Sequence, residues 1–463
     1  MTSAGKKAGG GALPARTDGR KAGTGQAGRA GVNERELVLD ILLLVTRDGV
    51  HCHLAMSDVL GKHQYLEKRS RAFISRLAQG TLERMLELDD VIDRFSRTPV
   101  KRMKPVIRCI LRSGVYQILY MDSVRDAAAC DEAVRLAHRK GFSGLKGFVN
   151  GVLRAVARAN AAGEMPGPDE ETSPEEYVSV RYSVPLWLVR KWVSDYGYAC
   201  AKSICAMSLG EKPTAIRVNT ARISADALKK ELEAEKITVR EWEGGDALLL
   251  EGYDYLGKIP GFLRGDFYVQ DVSSMQAVQA AGVQPGWYII DVCAAPGGKA
   301  IHAAQLMEGS GHVQARDLTE YKAELIAENK TRCKVENLSV RVWDATVADE
   351  QARERADLVI ADLPCSGLGV LRGKPDIKYN MTPQQMEELS ALQRRILSVV
   401  QGYVKPGGRL LYSTCTINRG ENEENAAWFA ESYPAFRLVS GQQIFPDEVR
   451  DGFYIAVFER SLR

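Results

Sequence analysis

Two cysteines stand in segments whose composition suits covalent chemistry. Cys365 lies in Ala361 to Tyr379 (ADLPCSGLGVLRGKPDIKY), a loop-like stretch rich in glycine and proline that begins with Asp362. Cys415 lies in Tyr412 to Asn425 (YSTCTINRGENEEN), where acids open the following helix. Each follows a short apolar run that reads as a β-strand, so both thiols are expected at strand ends facing one crevice. A third segment, Ile289 to Lys299 (IIDVCAAPGGK), reads as a strand, a tight turn of small residues that lets a ligand approach the backbone, and a helix starting at Lys299. It lacks GxGxxG and GxxxxGK[ST], which weakens a dinucleotide or nucleoside triphosphate reading. Asp317 closes the next strand, where an acid commonly takes ribose hydroxyls. Asp344 closes the third, placed to accept from an adenine amino group. One such aspartate alone reads as a helix cap; three consecutive strand ends outline an adenosine-like ligand.

Two thiols and an aspartate beside an adenosine-type ligand suit methylation of carbon 5 of a pyrimidine, which is unreactive until activated. A thiolate adding to carbon 6, with an acid hydrogen-bonded to ring nitrogen 3, turns carbon 5 into a nucleophile able to attack a sulfonium methyl group. A base then removes the carbon 5 proton and elimination expels the thiol. The thiolate is the reactive form, so its pKa should be depressed, though no sequence feature indicates how. The target nucleotide must be flipped out or single-stranded. Chemistry alone leaves open which thiol attacks.

These residues need a scaffold of parallel strands. From Trp287 onward, short apolar runs ending in Asp or Cys alternate with helical segments, the mark of a parallel sheet with crossover helices. Strands are expected at Trp287 to Cys293, Gly311 to Asp317, Leu338 to Asp344, Asp357 to Leu363 and Arg409 to Thr414. Such sheets bind ligands at the carboxyl ends of their strands. Upstream, residues 175–285 read as an α+β module, with helices over Tyr182 to Leu209, strands at Thr214 to Asn219, Ile237 to Trp242 and Ala247 to Glu251, and a helix Ala225 to Glu235. Residues 32–160 carry helical periodicity throughout. Residues 161–174 (AAGEMPGPDEETSP) suit a linker, and residues 1–31, with nine glycines, a disordered basic tail.

At 463 residues, 45% of them hydrophobic, the chain can form two or three globular cores. No apolar run approaches the roughly 18 residues of a membrane span. Nine cysteines without CxxC pairs or regular spacing argue against a disulfide framework or a structural zinc site and for a reduced cytoplasm. Cys109, Cys130, Cys200, Cys205 and Cys333 read as small hydrophobes. The net charge of +3 conceals +5 over residues 1–31, +7 over 32–160 and −9 over 161–463. A polyanion would meet the N-terminal third first. There, Lys101 to Lys104 (KRMK) with Arg97, Arg108 and Arg112 are candidates to grip phosphates. The HisCysHis run at 51–53 has no second ligand cluster nearby and reads as ordinary helical surface or core.

At these motifs the chain resembles the NOL1/NOP2/Sun family of RNA cytosine-5 methyltransferases, most closely its bacterial Sun/Fmu branch. DVCAAPGGK is similar to the family's first cofactor motif, DLPCSG to its fourth, and YSTCT with the following NEEN to its sixth. Pro446 with Asp451 to Phe453 resembles its final strand motif. VNGVLR at 149–154 is similar to the end of the NusB-like RNA-binding domain of this branch, and RVN at 217–219 and QDVSS from Gln270 to the module before the catalytic core. The resemblance implies a Rossmann-like class I methyltransferase domain over 286–463, a small RNA-binding α+β module before it and an all-α NusB-like domain at the N-terminus. It implies S-adenosyl-L-methionine as cofactor, no metal, small-subunit (16S) ribosomal RNA as partner and no membrane; a cytoplasmic monomer is expected.

Carried over residue by residue, the resemblance makes Cys415 the nucleophile and gives Cys365 a part in releasing the product. Asp362 would contact the cytosine edge and lie near the methyl donor, with Lys299 in reach of the base. Cys293, Ala294, Ala295, Pro296, Gly297, Gly298 and Lys299, with Asp317, Asp344 and Asp362, would hold the cofactor. Two departures are small: Ala300 stands where the family often has Thr, and Arg316 precedes Asp317. An adaptor retaining an inactive methyltransferase fold is disfavoured by intact Cys415, Cys365 and Asp362, and a small-molecule methyltransferase by the two thiols and the basic helical domain.

Overall fold

The computed structural model describes residues 33–245 and 247–462; the tail expected over 1–31 lies outside the described residues. Helices run from Glu34–Thr46 to Lys146–Ala162, seven in all, around one apolar core. The helix Pro105–Tyr120 lies at its centre, because ten of its consecutive residues from Cys109 to Ile118 are buried. No described helix is long and apolar enough to cross a membrane.

Residues 161–174 are less free than their composition suggests. The last helical turn extends to Ala162, Met165 packs on the helical core, and Glu170 accepts hydrogen bonds from Tyr198 Oη at 2.8 Å and from Lys202. Glu170 thus finds a phenolic and a basic partner on the helix Tyr198–Met207. The next helices, Pro174–Arg181, Leu186–Tyr196 and Tyr198–Met207, share a core with Leu368, Leu371, Met386 and Ile417. Trp192, fully buried, donates from Nε1 to the Ile417 carbonyl at 2.9 Å. They therefore brace the loops that carry Cys365 and Cys415.

A separate four-stranded antiparallel sheet comprises β1 (Thr214–Val218), β2 (Thr238–Glu241), β3 (Ala247–Glu251) and β4 (Phe267–Val269) in the order β2-β3-β1-β4. The expected helix between β1 and β2 spans Ala225–Ala234. The short strand β4 was not expected from sequence; three residues give too little alternation to read.

The large sheet has seven strands: β5 (Tyr288–Asp291), β6 (His312–Asp317), β7 (Leu338–Val342), β8 (Ala356–Asp362), β9 (Val404–Thr414), β10 (Phe436–Ile444) and β11 (Phe453–Arg460). Its order is β10-β11-β9-β8-β5-β6-β7, parallel from β7 to β9, with β11 and β10 closing the edge antiparallel. The chain runs outward from β5 to β7 and then returns to place β8 on the other side of β5. This reversal opens a crevice at the strand carboxyl ends, the expected ligand position in an open α/β sheet.

The helical domain is pinned to the segment after Cys365. The Glu83 carbonyl accepts from Lys378 Nζ at 2.8 Å and from Tyr379 Oη at 3.2 Å. Lys378 is fully buried, and burial lowers its pKa to about 7 against the opposing pull of Glu83. An unfolded lysine keeps its proton to about pH 10.4. Between these values the unfolded chain binds the extra proton, so this group's contribution to stability rises with pH; below about 7 both states are charged and the burial cost stands in full. The melting temperature of Lys378→Met minus that of the wild type should therefore be level below about pH 7 and fall from there to pH 9.5. A difference independent of pH would contradict the buried ammonium.

Candidate active site

The turn after β5 brings the backbone within reach of a ligand because its residues are small. Gly297 has φ of +109°, and a Cβ there would sit 3.3 Å from Ile301 Cδ1, so only glycine serves without strain. The helix Gly298–Leu306 follows, one residue earlier than expected. Asp317, buried at the end of β6, accepts the Ala295 N–H at 2.9 Å and the Leu318 N–H at 2.8 Å, and Lys322 Nζ lies 3.0 Å away. Beneath, Asp291 is fully buried with neither oxygen hydrogen-bonded among the described residues. Burial, then the Asp362 charge, push its pKa up to about 8, so it carries a proton at neutral pH.

At the ends of β8 and β9 the reacting groups assemble. Asp362 pairs through Oδ2 with Lys299 Nζ at 2.7 Å and accepts through Oδ1 from Ser413 Oγ at 2.8 Å. The Lys299 ammonium also sits 5.0 Å from the centre of the Phe453 ring. The sulfurs of Cys365 and Cys415 are 3.3 Å apart and both are half-buried. The hydrogen bond from Cys365, with Lys299 and Lys374 nearby, holds the Cys415 thiol below its usual range against burial and Asp362. The same hydrogen bond, burial and the charges of Cys415 and Glu421 push Cys365 well above that range. The pair is thus polarised, with thiolate character on Cys415 and the proton on Cys365.

The loops holding the thiols are fastened by a buried carboxylate. Glu421 accepts from Ser366 N at 2.9 Å, Gln393 Nε2 at 2.9 Å and Asn418 Nδ2 at 2.8 Å, and also from Ser366 Oγ. Gly369 donates to the Cys415 carbonyl at 3.1 Å, and a Cβ at Gly369 would lie 1.9 Å from the Gly452 carbonyl oxygen.

One cleft of about 440 Å³ gathers Cys293, Ala295, Asp317, Asp362, Cys365 and Cys415. Four expected residues adjoin the cleft without lining it. Ala294 donates to the Arg316 carbonyl at 2.8 Å, Pro296 accepts from Tyr268 and Asn329, and Gly297 and Gly298 lead into the helix. Lys299 is buried and meets the site through Asp362. Asp344 stands outside the cleft lining; its Oδ1 is occupied by Thr346 N at 2.8 Å and Thr346 Oγ1 at 2.7 Å, which is the capping role available to any strand-end aspartate. Arg316 does not perturb the cofactor side, since its buried guanidinium pairs with Asp349 at 2.9 Å and with Gln314 at 2.7 Å.

Several cleft residues carry no local sequence signal. Lys322 and Lys374 are exposed at its rim, and His51 enters from the helical domain. Lys322 is the third residue of the helix after Asp317, a position legible as a helix start but not as a partner. Nothing in the sequence links His51 to residues three hundred positions on. In the helical domain, Arg97, Lys101, Arg102 and Lys104 are exposed, but Arg112 is buried against Asp89 at 2.6 Å and is lost to any phosphate.

Three family models match the chain: the NusB family over residues 32–158, the ferredoxin-like domain of RsmF/B-like methyltransferases over 184–253, and 16S rRNA methyltransferase RsmB/F over 280–459. The probable ribosomal RNA small subunit methyltransferase B of Bacillus subtilis is 34% identical over 422 residues, covering 90% of this chain and 92% of that protein. The chain belongs to the RsmB/F methyltransferase family. Its fold is that of the crystal structure of PH0851, with a TM-score of 0.78 at 24% identity over 93% of this chain and 99% of that one. A methyltransferase homolog from Pyrococcus horikoshii covers 61% of this chain and 97% of its own at 26% identity, with a TM-score of 0.54.

RsmB/F proteins are S-adenosylmethionine-dependent methyltransferases, and the cleft fits that cofactor. Its volume is within the roughly 300–1,000 Å³ of small-molecule sites, and Cys293 and Ala295 leave the backbone accessible. A carboxylate has about four lone-pair sites. Two of those on Asp317 are fixed by backbone and a third faces the half-exposed Lys322, so ribose hydroxyls can still be accepted there. The polarised thiol pair yields a direct check. Replacing Cys365 by Ala removes the hydrogen bond that lowers Cys415, so the pH midpoint of Cys415 alkylation should move to higher pH; an unchanged or lower midpoint would contradict the polarity.

Proposed function

We propose that this RsmB/F methyltransferase transfers a methyl group to carbon 5 of a specific cytidine in 16S ribosomal RNA, through a covalent adduct between Cys415 and the cytosine ring. The observation that carries this reading is the pair of thiols 3.3 Å apart, oppositely polarised, beside the Asp362 carboxylate and its Lys299 partner. The names of the relatives support the RNA class. The exposed basic run of the NusB-like domain is consistent with it.

S-adenosylmethionine, when bound, supplies an electrophilic methyl group. The protein's task is to make carbon 5 nucleophilic. Cys415, as thiolate, forms a bond to carbon 6, and the electrons displaced onto nitrogen 3 are met by a hydrogen bond donated there, the role assigned to Asp362 as the carboxylic acid. Lys299 and Ser413 fix that carboxyl group in one orientation. After the methyl group is on carbon 5, the proton there passes to solvent water acting as base, its electron pair restores the carbon 5–carbon 6 double bond, the carbon–sulfur bond breaks and Cys415 departs as thiolate. Cys365 sits against that sulfur and assists the release. Cys293, Ala295 and Asp317 line the cofactor end of the cleft.

Incubation with labelled S-adenosylmethionine and unmodified small-subunit RNA, followed by mapping of 5-methylcytosine, tests the reading; no transfer would favour an RNA-binding adaptor instead. Cys365→Ala should accumulate a protein–RNA adduct and Cys415→Ala should form none; the reverse pattern would overturn the two roles. Asp362→Asn should lower kcat about 10²–10⁴-fold, the range of a proton-handling side chain, and wild-type turnover in that variant would remove Asp362 from the chemistry.

A further inference from the structure

His51 begins the helix Cys52–Lys62 of the NusB-like domain, yet it lines the same cleft as Asp362, Cys365 and Cys415. Its imidazole is held on two sides. Nδ1 lies 3.1 Å from Oδ2 of Asp376, whose side chain is only 2% exposed, and the His53 ring stacks on it at 5.9 Å and 24°. Since the carboxylate accepts, Nδ1 carries a proton toward Asp376; Nε2 makes no hydrogen bond among the described residues and, in the imidazolium form, is left as a second donor aimed at the cleft. The His51 side chain remains 62% exposed. A ring so fixed at the cleft, with one nitrogen committed and the other uncommitted, is more than a surface residue requires.

The surroundings indicate what it meets. Lys374, two residues before Asp376, lines the same cleft, is exposed and forms no ion pair among the described residues. The surface that the helical domain and the post-Cys365 segment present to the cleft thus carries the exposed Lys374 ammonium, while Asp376 lies buried behind the histidine. Asp317 and Asp362 mark the cofactor side. A nucleotide whose base reaches the sulfurs must lead its sugar-phosphate backbone out of the cleft, and a phosphodiester suits the surface carrying Lys374.

We infer that the NusB-like domain completes the substrate cleft, with His51, oriented by Asp376, and Lys374 binding a backbone phosphate of the RNA next to the target nucleotide. This rests on the proposed RNA substrate. It adds that the N-terminal domain acts at the reaction centre itself, and that His51 fixes how the target enters.

Steady-state kinetics of the full-length protein on small-subunit RNA test this, with the two nitrogens separated by substitution. His51→Ala should raise KM for RNA about tenfold with the loss falling on KM rather than kcat. His51→Asn keeps a donor near the Nδ1 position toward Asp376 but has nothing at Nε2, and should be as impaired as Ala; His51→Gln, whose amide nitrogen reaches the Nε2 position, should recover part of the loss. Lys374→Met should reduce the slope of log KM against log salt by about 0.7–0.9, the value of one phosphate contact. An unchanged KM in His51→Ala, or full rescue by Asn, would overturn the inference, the latter by showing that His51 only braces Asp376. Failure of the wild-type protein to methylate RNA would instead count against the functional reading.

Discussion

The Glu421 carboxylate, fully buried, accepts four hydrogen bonds from three separate segments: Ser366 beyond β8, Asn418 beyond β9, and Gln393 on the helix Pro383–Val400. A buried charge is tolerable only when its lone pairs are satisfied. If either cysteine loop moved away, donors would be lost from a site where water cannot replace them. The 3.3 Å approach of Cys365 and Cys415 is thus a consequence of satisfying this carboxylate. Gly369 and Gly452, whose backbones touch, and Trp192, bonded to Ile417, brace the same loops.

Glu421 also sorts the charge between the thiols. It lies on the Cys365 side and disfavours a thiolate there, while at Cys415 Lys299 and Lys374 work against Asp362. The sequence left the choice of nucleophile open on chemical grounds, and only resemblance favoured Cys415. The hydrogen bond between the two sulfurs, with Glu421 on the Cys365 side, favours the thiolate on Cys415, in line with that choice. The sheet makes it possible, because the return of the chain to β8 beside β5 sets the cofactor turn and the two cysteine loops around one crevice.

What was legible in the sequence was whatever follows from local pattern. The helical periodicity from Glu34, the five apolar runs of the parallel sheet and the small-residue turn at Cys293 to Gly297 each reflect one segment's own burial. What was not legible depends on distant partners. Glu421 reads as one of the acids opening a helix, yet that helix begins at Glu423 and Glu421 points into the core. Arg112 reads as part of a basic patch until Asp89 is seen beside it. His51 reads as helix surface because Asp376 is 325 positions away.

A covalent bond between Cys415 and the target base is the step on which the chemistry depends. RNA carrying 5-fluorocytidine at the modified position removes the proton whose departure permits elimination, so the adduct should persist on the unmutated protein in the presence of S-adenosylmethionine. Digestion and mass spectrometry of the cross-linked peptide would then locate the attachment. The account predicts one RNA-derived mass on the peptide containing Cys415; attachment at Cys365, or no covalent product while methyl transfer to ordinary RNA proceeds, would contradict it.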